Sequence, residues 1–268
     1  MDSTQPVLTR SQIDFFLREG HLTIERMSTK AELDWLRQLY DRIFIEGIGW
    51  EEGAQIDLAG RDETKGKAVL PQIMWPSKYF PDLLTTRFRA NALAVARQIL
   101  GPGVASEPRS EHMIFKPPQY GAETPWHQDQ AYHDPALRYT NINFWMPLDD
   151  ADEQNGCMKY VPRSHRLDVL PHHPIGHDPR IHGLEVDRAE TFDAQAVVCP
   201  VKAGGATLHH SYLLHAAGPN TSDRPRRGYI LVFALPAVRR EQPLSFPWRE
   251  IQHTSAMDRR AKTVAAAM

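Results

Sequence analysis

From about residue 103 the helical period leaves the chain, and six short β-rich runs replace it: "EHMIFKPP", "TNINFWMPL", "GCMKYVP", "AQAVVCPV", "GGATLHH" and "RGYILVFAL". They lie between proline, glycine and aspartate signals. Many short strands with turn signals between them, and no helical pattern to cross over, argue for an antiparallel sandwich or barrel. No internal repeat suggests a solenoid.

The first hundred residues read differently. Thr9 and Gln12 resemble a capping box ahead of "IDFFLREG", whose glycine suits a helix C-terminus. In "STKAELDWLRQLYDRIFIEG", Leu33, Leu36, Tyr40, Ile43 and Phe44 recur at helical spacing, with Ser28 or Thr29 as N-cap. Residues 9–47 are therefore expected to be helical. "LLTTRFRANALAVARQIL" is a further helix closed by Gly101 and Pro102. Between them, residues 48–80 carry Gly, Asp, Lys and several prolines; they read as an irregular segment over a cleft and, with 164–190, as a place for a lid. The tail after Glu241 is polar and expected to fray. The expected architecture is mainly β with flanking helices, in a single domain over 1–268: a helical layer and cover segment (1–102), a barrel core (103–240) and a C-terminal tail (241–268).

Composition removes several function classes. The 268 residues are 41% apolar and 24% charged, as in ordinary globular proteins, and are long enough for a sizeable core. A net charge of −2 gives no electrostatic case for nucleic acid or an anionic membrane, and "PRRG" is too short to change that. "YILVFAL", stopped by Pro236, is far too short to span a bilayer. "MDSTQPVLTRSQ" lacks the basic and apolar regions of a signal peptide. A cytoplasmic protein with a small-molecule substrate, as monomer or homodimer, is expected. Cys157 and Cys199 lie in strand-like segments and read as two buried thiols; their spacing fits neither a disulfide framework nor a CxxC zinc site.

Chemistry concentrates in "TPWHQDQAYHD" (124–134). His127 and Asp129 are two positions apart, so at the end of a strand they project from one face. Alone the pair is a weak signal, and a polar turn before a buried strand is the simpler account until a third group is found. "HHSYLLHAAGPN" supplies His215 at the end of an apolar run. Two histidines and one carboxylate, with three positions open, form the facial triad of non-haem Fe(II) oxygenases. Eleven residues on, Arg226 enters "GYILVFAL". An oxygenase that consumes a 2-oxo acid needs a cation for the distal carboxylate, and the planar guanidinium matches a carboxylate bidentately.

With these pieces in place the chain resembles the phytanoyl-CoA dioxygenase family of Fe(II)/2-oxoglutarate-dependent oxygenases. The resemblance rests on "KPP" (116–118), "PWHQD" (125–129), "NFWMPLDDADEQNGCMKYVPRSHR" (143–166) and "GGATLHHSYLLHAAGPNTSDRPRRGY" (204–229). It implies a double-stranded β-helix (jelly-roll, cupin-like) core, and Fe(II), 2-oxoglutarate and O2 as cofactor and cosubstrates. It further implies His127, Asp129 and His215 as iron ligands and Arg226 as anchor of the 2-oxoglutarate C5 carboxylate; Arg224 and Arg227 are neighbouring competitors that the family spacing disfavours. Lys116 is either an edge-strand lysine or, by the "KPP" resemblance, a second contact to the 2-oxo acid. The carboxylate at Asp129 occupies the place that related halogenases leave to chloride, so hydroxylation is expected over halogenation. Two features depart from the family: Ala216, two before Gly218, and the pair His209-His210.

The remaining polar and aromatic residues have two readings each. Asn143 is a core hydrogen-bonding residue or a cosubstrate contact, and Trp145 fills the barrel or walls the iron pocket. Trp126 and Tyr132 are substrate walls or core. His210 reaches the site from its strand or is a satisfied strand histidine. Among His133, His172, His173, His177 and His182, all read as solvated loop residues, His133 is best placed to enter the cleft. Gln128, between two ligands, should point away from them. Arg37, Arg42 and the 86–97 arginines are either a surface for the phosphates of a CoA thioester or plain solvated helix faces. Two other functions are open at this stage. One is a cupin-like metal enzyme without a 2-oxo acid, such as an isomerase or extradiol-type dioxygenase. The other is a silent small-molecule-binding barrel. Neither requires a buried cation at Arg226.

Overall fold

The computed structural model describes residues 5–66 and 68–266. Helix α1 (Arg10–Glu19) starts with the complete capping box of Thr9 and Gln12 and ends at left-handed Gly20. Helix α2 (Lys30–Glu46) is capped by Thr29, whose side chain accepts from the Glu32 amide. Helix α3 (Arg87–Leu100) follows a short 3-10 turn over Pro81–Thr85 and takes Thr86 as N-cap. Each capping side chain accepts from an amide that the first helical turn leaves without a partner.

Among the described residues, eleven strands form two sheets: β1 (His21–Ile24), β2 (Gln55–Asp57), β3 (Pro71–Met74), β4 (Ser110–Lys116), β5 (Thr124–His127), β6 (Asn141–Pro147), β7 (Met158–Tyr160), β8 (Val197–Cys199), β9 (Ala206–His210), β10 (His215–Ala217) and β11 (Arg226–Ala234). The major sheet runs β1-β9-β6-β11-β4-β3-β2 and the minor one β8-β7-β10-β5. Every pairing within them is antiparallel. Two-stranded ribbons, His172–Pro174 with Leu184–Val186 and Leu137–Arg138 with Val238–Arg239, attach outside them. The protein is thus mainly β with flanking helices.

Side-chain alternation explains the layers. On β11, Tyr229, Leu231 and Phe233 point outward. There they meet Leu36, Tyr40 and Ile43 of α2 and Phe88, Ala92 and Val95 of α3 in one apolar cluster. Burying each large side chain contributes about 1.5–3 kcal/mol. Ile230 and Val232 point inward and pack with Trp145 against Met158, Tyr160 and Ala217 of the minor sheet. Being covered on both faces is why "YILVFAL" shows no alternation in sequence. Both cysteines are buried and free, and burial raises their thiols, Cys157 to about 11 and Cys199 to about 12.

Three expectations change. Residues 9–47 are not all helical: β1 interrupts them and pairs with β9. Residues 48–80 hold β2 and β3, which extend the major sheet beyond β4. The tail is structured as well. Helices α4 (Pro247–Ile251) and α5 (Ser255–Ala266) fold back, and Arg259 donates to the Trp50, Gln55 and Asp62 carbonyls and to the Asp62 carboxylate. Among the described residues no helix is long and apolar enough to cross a membrane.

Candidate metal centre

Strand β5 ends at His127, and Asp129 opens a 3-10 turn, Asp129–Tyr132. On β10, His215 stands opposite His127 in register. One ligand atom from each of His127, Asp129 and His215 lies within 4.8 Å of the others. The His127 and His215 rings are 4.1 Å apart and tilted by 47°.

Backbone carbonyls fix the tautomers. His127 Nδ1 faces the Pro125 carbonyl at 2.8 Å and His215 Nδ1 faces the Leu213 carbonyl at 2.9 Å. A carbonyl only accepts, so each Nδ1 carries the hydrogen and each Nε2 presents a lone pair. Those two Nε2 atoms converge on Asp129 Oδ1, at 3.7 and 3.6 Å. Burial, then the neighbouring imidazole, pushes both histidines down to about 4, so they are neutral at pH 7 as metal binding requires. Burial alone would raise the Asp129 carboxyl, but His215, His209 and His127 outweigh it and hold it well below the usual range. Two neutral imidazoles and one carboxylate are the donor set for an octahedral ferrous ion with open positions.

Gln128 turns away, as alternation predicts. Its side chain donates to the Tyr212 carbonyl at 2.8 Å and accepts from the Leu170 amide, and its own amide donates to His172 Nε2 at 3.1 Å. His172 is thus buried against the ligand strand rather than solvated. His173 lies half-buried on the attached ribbon, and His182, also half-buried, meets Thr254 Oγ1 at 2.8 Å. His177 stays exposed, stacked on His173.

At the other end of the barrel Arg226 points inward, buried, opposite Lys116 of β4. Its carbon Cζ lies 5.3 Å from the Trp145 ring centroid. Nε and Nη1 have no hydrogen-bond partner. Burial lowers Arg226 to about 10, so it stays charged at neutral pH. A buried, uncompensated guanidinium costs several kcal/mol and calls for an anion. The competitors are spent elsewhere: Arg227 pairs with Asp41 and Asp149, and exposed Arg224 pairs with Asp152. Lys116 is buried beside Arg226, but its Nζ contacts the carbonyls of Ala122, Ala217 and Gly218 at 2.8, 3.0 and 2.6 Å. It pins the loop after β10 and has no donor left over for a carboxylate. Gly228, two beyond Arg226, is required by close approach: a Cβ there would come within 2.6 Å of Trp145 Nε1.

Asn143 is buried on the inward face of β6, with Nδ2 unpartnered; Asn141, one alternation away, has both amide atoms unpartnered. His133 lies near the turn that holds Asp129. Its Nε2 accepts from Arg109 at 3.0 Å, and burial lowers it to about 4. Tyr132 packs edge-on to His127 and its hydroxyl accepts from the Leu184 amide. Two candidates lie elsewhere. Trp126 faces the outside of the minor sheet, against Phe192, and donates to Asp193. His210 is on the outward face of β9, between His165 and Tyr212.

Two inward histidines escaped sequence reasoning. His209, paired in register with Asn143, places Nε2 3.1 Å from Asp129 Oδ2. His112 shares a face of β4 with Lys116 and feels the Asp129 charge; burial lowers it to about 4, and Nδ1 is unpartnered. Period-two counting from Lys116 would have found His112. A cavity of about 270 Å³ lies outside the barrel, lined by Tyr40, Phe44, Trp50, Ile56 and Phe115 but by none of the triad residues.

The profile of the phytanoyl-CoA dioxygenase family matches residues 16–228. A probable alpha-ketoglutarate-dependent hypophosphite dioxygenase of Stutzerimonas stutzeri is 27% identical over 227 residues, covering 82% of this chain and 76% of that protein. Phytanoyl-CoA dioxygenase domain-containing protein 1 of Danio rerio is 35% identical over 267 residues, covering 83% and 89%. Among solved structures, EvdO2 from Micromonospora carbonacea var. aurantiaca complexed with 2-oxoglutarate superposes with a TM-score of 0.77 at 37% identity, over 91% of this chain and 98% of that one.

Proposed function

From the premise that this chain belongs to the phytanoyl-CoA dioxygenase family and is a non-haem iron, 2-oxoglutarate-dependent dioxygenase, we propose that it hydroxylates an unactivated C–H bond of a small metabolite. The observation that carries this reading is the unpartnered, buried guanidinium of Arg226 in the same barrel as the His127–Asp129–His215 cluster. Bound Fe(II) supplies the oxidation, in which O2 and 2-oxoglutarate yield succinate, CO2 and one oxygen atom for the substrate.

The protein's part is binding, orientation and exclusion of water. His127, Asp129 and His215 hold the ion through two lone pairs fixed by carbonyl hydrogen bonds and one carboxylate oxygen. Arg226 takes the C5 carboxylate of the cosubstrate, and the Trp145 indole backs its guanidinium. Asn143 offers its free amide hydrogens to a ligand in the barrel. The apolar packing of Trp145, Ile230 and Val232 keeps that space dry, which strengthens both electrostatic contacts.

A free metabolite suits the molecule better than a CoA thioester. Arg37 and Arg42 of α2 are engaged by Asp34 and Glu46, and Arg89 of α3 by Glu107 and Glu111. Those three arginines already have carboxylate partners, which leaves only Arg87 and Arg97 of that basic set. The test is anaerobic addition of Fe(II) and 2-oxoglutarate, watching for the visible charge-transfer band, then succinate release across a metabolite panel. Absence of the band with wild-type protein would overturn the reading.

A further inference from the structure

The two oxygens of Asp129 face different partners. Oδ1 lies toward His127 Nε2 and His215 Nε2, at 3.7 and 3.6 Å, while Oδ2 lies 3.1 Å from His209 Nε2. His209 is buried on the inward face of β9. Its ring centroid is 4.2 Å from that of His215 and 5.4 Å from that of Tyr160. We propose that His209 is a positioning residue that holds Asp129 Oδ2 by a hydrogen bond and so keeps Asp129 a one-oxygen ligand.

An ionised carboxylate only accepts, so the hydrogen of this contact belongs to His209 Nε2. Nδ1 lies 3.3 Å from the Tyr160 oxygen. Tyr160 is itself held: its hydroxyl lies 2.9 Å from Thr207 Oγ1, and His21 stacks on its ring at 5.2 Å. The imidazole therefore has a fixed place, an Nε2 hydrogen directed at Asp129 and one carboxylate oxygen in reach. Partners of this kind orient the groups that touch a metal.

The consequence is a matter of counting positions. Two imidazoles and one carboxylate oxygen occupy half of an octahedral shell. A chelating 2-oxo acid needs two of the remaining positions, and the reaction needs the last. If Oδ2 swung in as a second carboxylate donor, that last position would be lost. His209 offers Oδ2 a hydrogen bond in place of the metal.

This inference rests on the triad reading above, and the test separates the two. Wild-type, His209→Phe and His209→Gln proteins are loaded anaerobically with Fe(II) and 2-oxoglutarate. The charge-transfer band reports the loaded site, and titration with nitric oxide, followed by its electron paramagnetic resonance signal, reports the last open position. Cobalt(II) affinity is measured in parallel, and circular dichroism checks folding. His209→Phe should keep the band and lose no more than the roughly 10- to 100-fold in cobalt affinity that removing an outer partner of a metal ligand costs, yet bind nitric oxide clearly more weakly than wild type. His209→Gln, which keeps a donor, should recover most of that loss. If His209→Phe does not fold, the Gln variant alone decides, and nitric oxide binding more than about tenfold weaker than wild type overturns the proposal. Unchanged nitric oxide affinity in His209→Phe also overturns it. Cobalt binding weakened well beyond the roughly 100-fold that loss of an outer partner causes would make His209 a ligand instead and overturn the proposal. A missing band in wild type would overturn the triad reading itself.

Discussion

Arg226 and Trp145 face each other inside the barrel, the guanidinium carbon 5.3 Å from the indole centroid, with Nε and Nη1 of the arginine left without acceptors. Such a cation is poised for a carboxylate, and hydrogen bonds to a charged group contribute about 1.5–3 kcal/mol. Arg226→Ala should therefore require roughly 10- to 100-fold more 2-oxoglutarate for half-maximal turnover. Arg224→Ala and Arg227→Ala should change it little, because those side chains pair with Asp152 and with Asp41 and Asp149. A cosubstrate titration of the three variants, read by succinate release, checks the assignment; a loss confined to Arg224→Ala would contradict it.

Gly228 provides an independent handle on the same pocket. An alanine methyl there meets Trp145 Nε1 at 2.6 Å, so the indole must shift. Overpacking of this kind costs about 1–3 kcal/mol. Gly228→Ala should lower the melting temperature and raise the 2-oxoglutarate requirement, while Fe(II) affinity, set at the other end of the barrel, stays close to wild type. Equal losses in both affinities would mean that the damage is global.

The C-terminal tail reaches the metal end. Trp248 of α4 is buried, donates to the Ala131 carbonyl at 3.0 Å and stacks on Phe246. Ala131 lies in the same turn as Asp129. Trp248→Ala removes a large buried ring, at a cost of about 3–5 kcal/mol. The measurable outcome is a lower urea midpoint together with weaker cobalt(II) binding. A stability loss with unchanged cobalt affinity would uncouple the tail from the site.

What the sequence disclosed follows from which signals are local. The capping box at Thr9, the helical spacing of Leu33 to Ile43 and the two-residue offset of His127 and Asp129 are short-range patterns, and the structure keeps them. The partner of "HLTI" is distant in the chain, and "QIDL" is only three paired residues inside a Gly- and Asp-rich stretch, so β1 and β2 could not be told from helix end or loop. His209 and His210 are adjacent in sequence and identical in type; only the pairing of His209 with Asn143 turns one inward and the other outward. The tail looked free because its anchors, Trp50, Gln55, Asp62 and Ala131, lie more than a hundred residues away. Long-range pairing decides such questions, and one strand's register decides which face each residue takes.

Half-buried histidines away from the triad contribute to the acid limit of the apoprotein. Burial lowers His133, His182 and His210 from the usual 6.5 to about 4. A lowered folded-state value means that the unfolded chain binds protons first as pH falls. Stability should therefore be full above about 6.5, decline through the window below it, and lose the rest of this contribution near pH 4. Urea midpoints of metal-free protein at pH 7.5, 6, 5 and 4.5, as representative values, should fall monotonically. In a His182→Gln variant the same series should fall less steeply, since one of the proton-linked groups is gone. A flat profile from neutral to mildly acidic pH would show that these imidazoles titrate normally and are not held neutral by the fold.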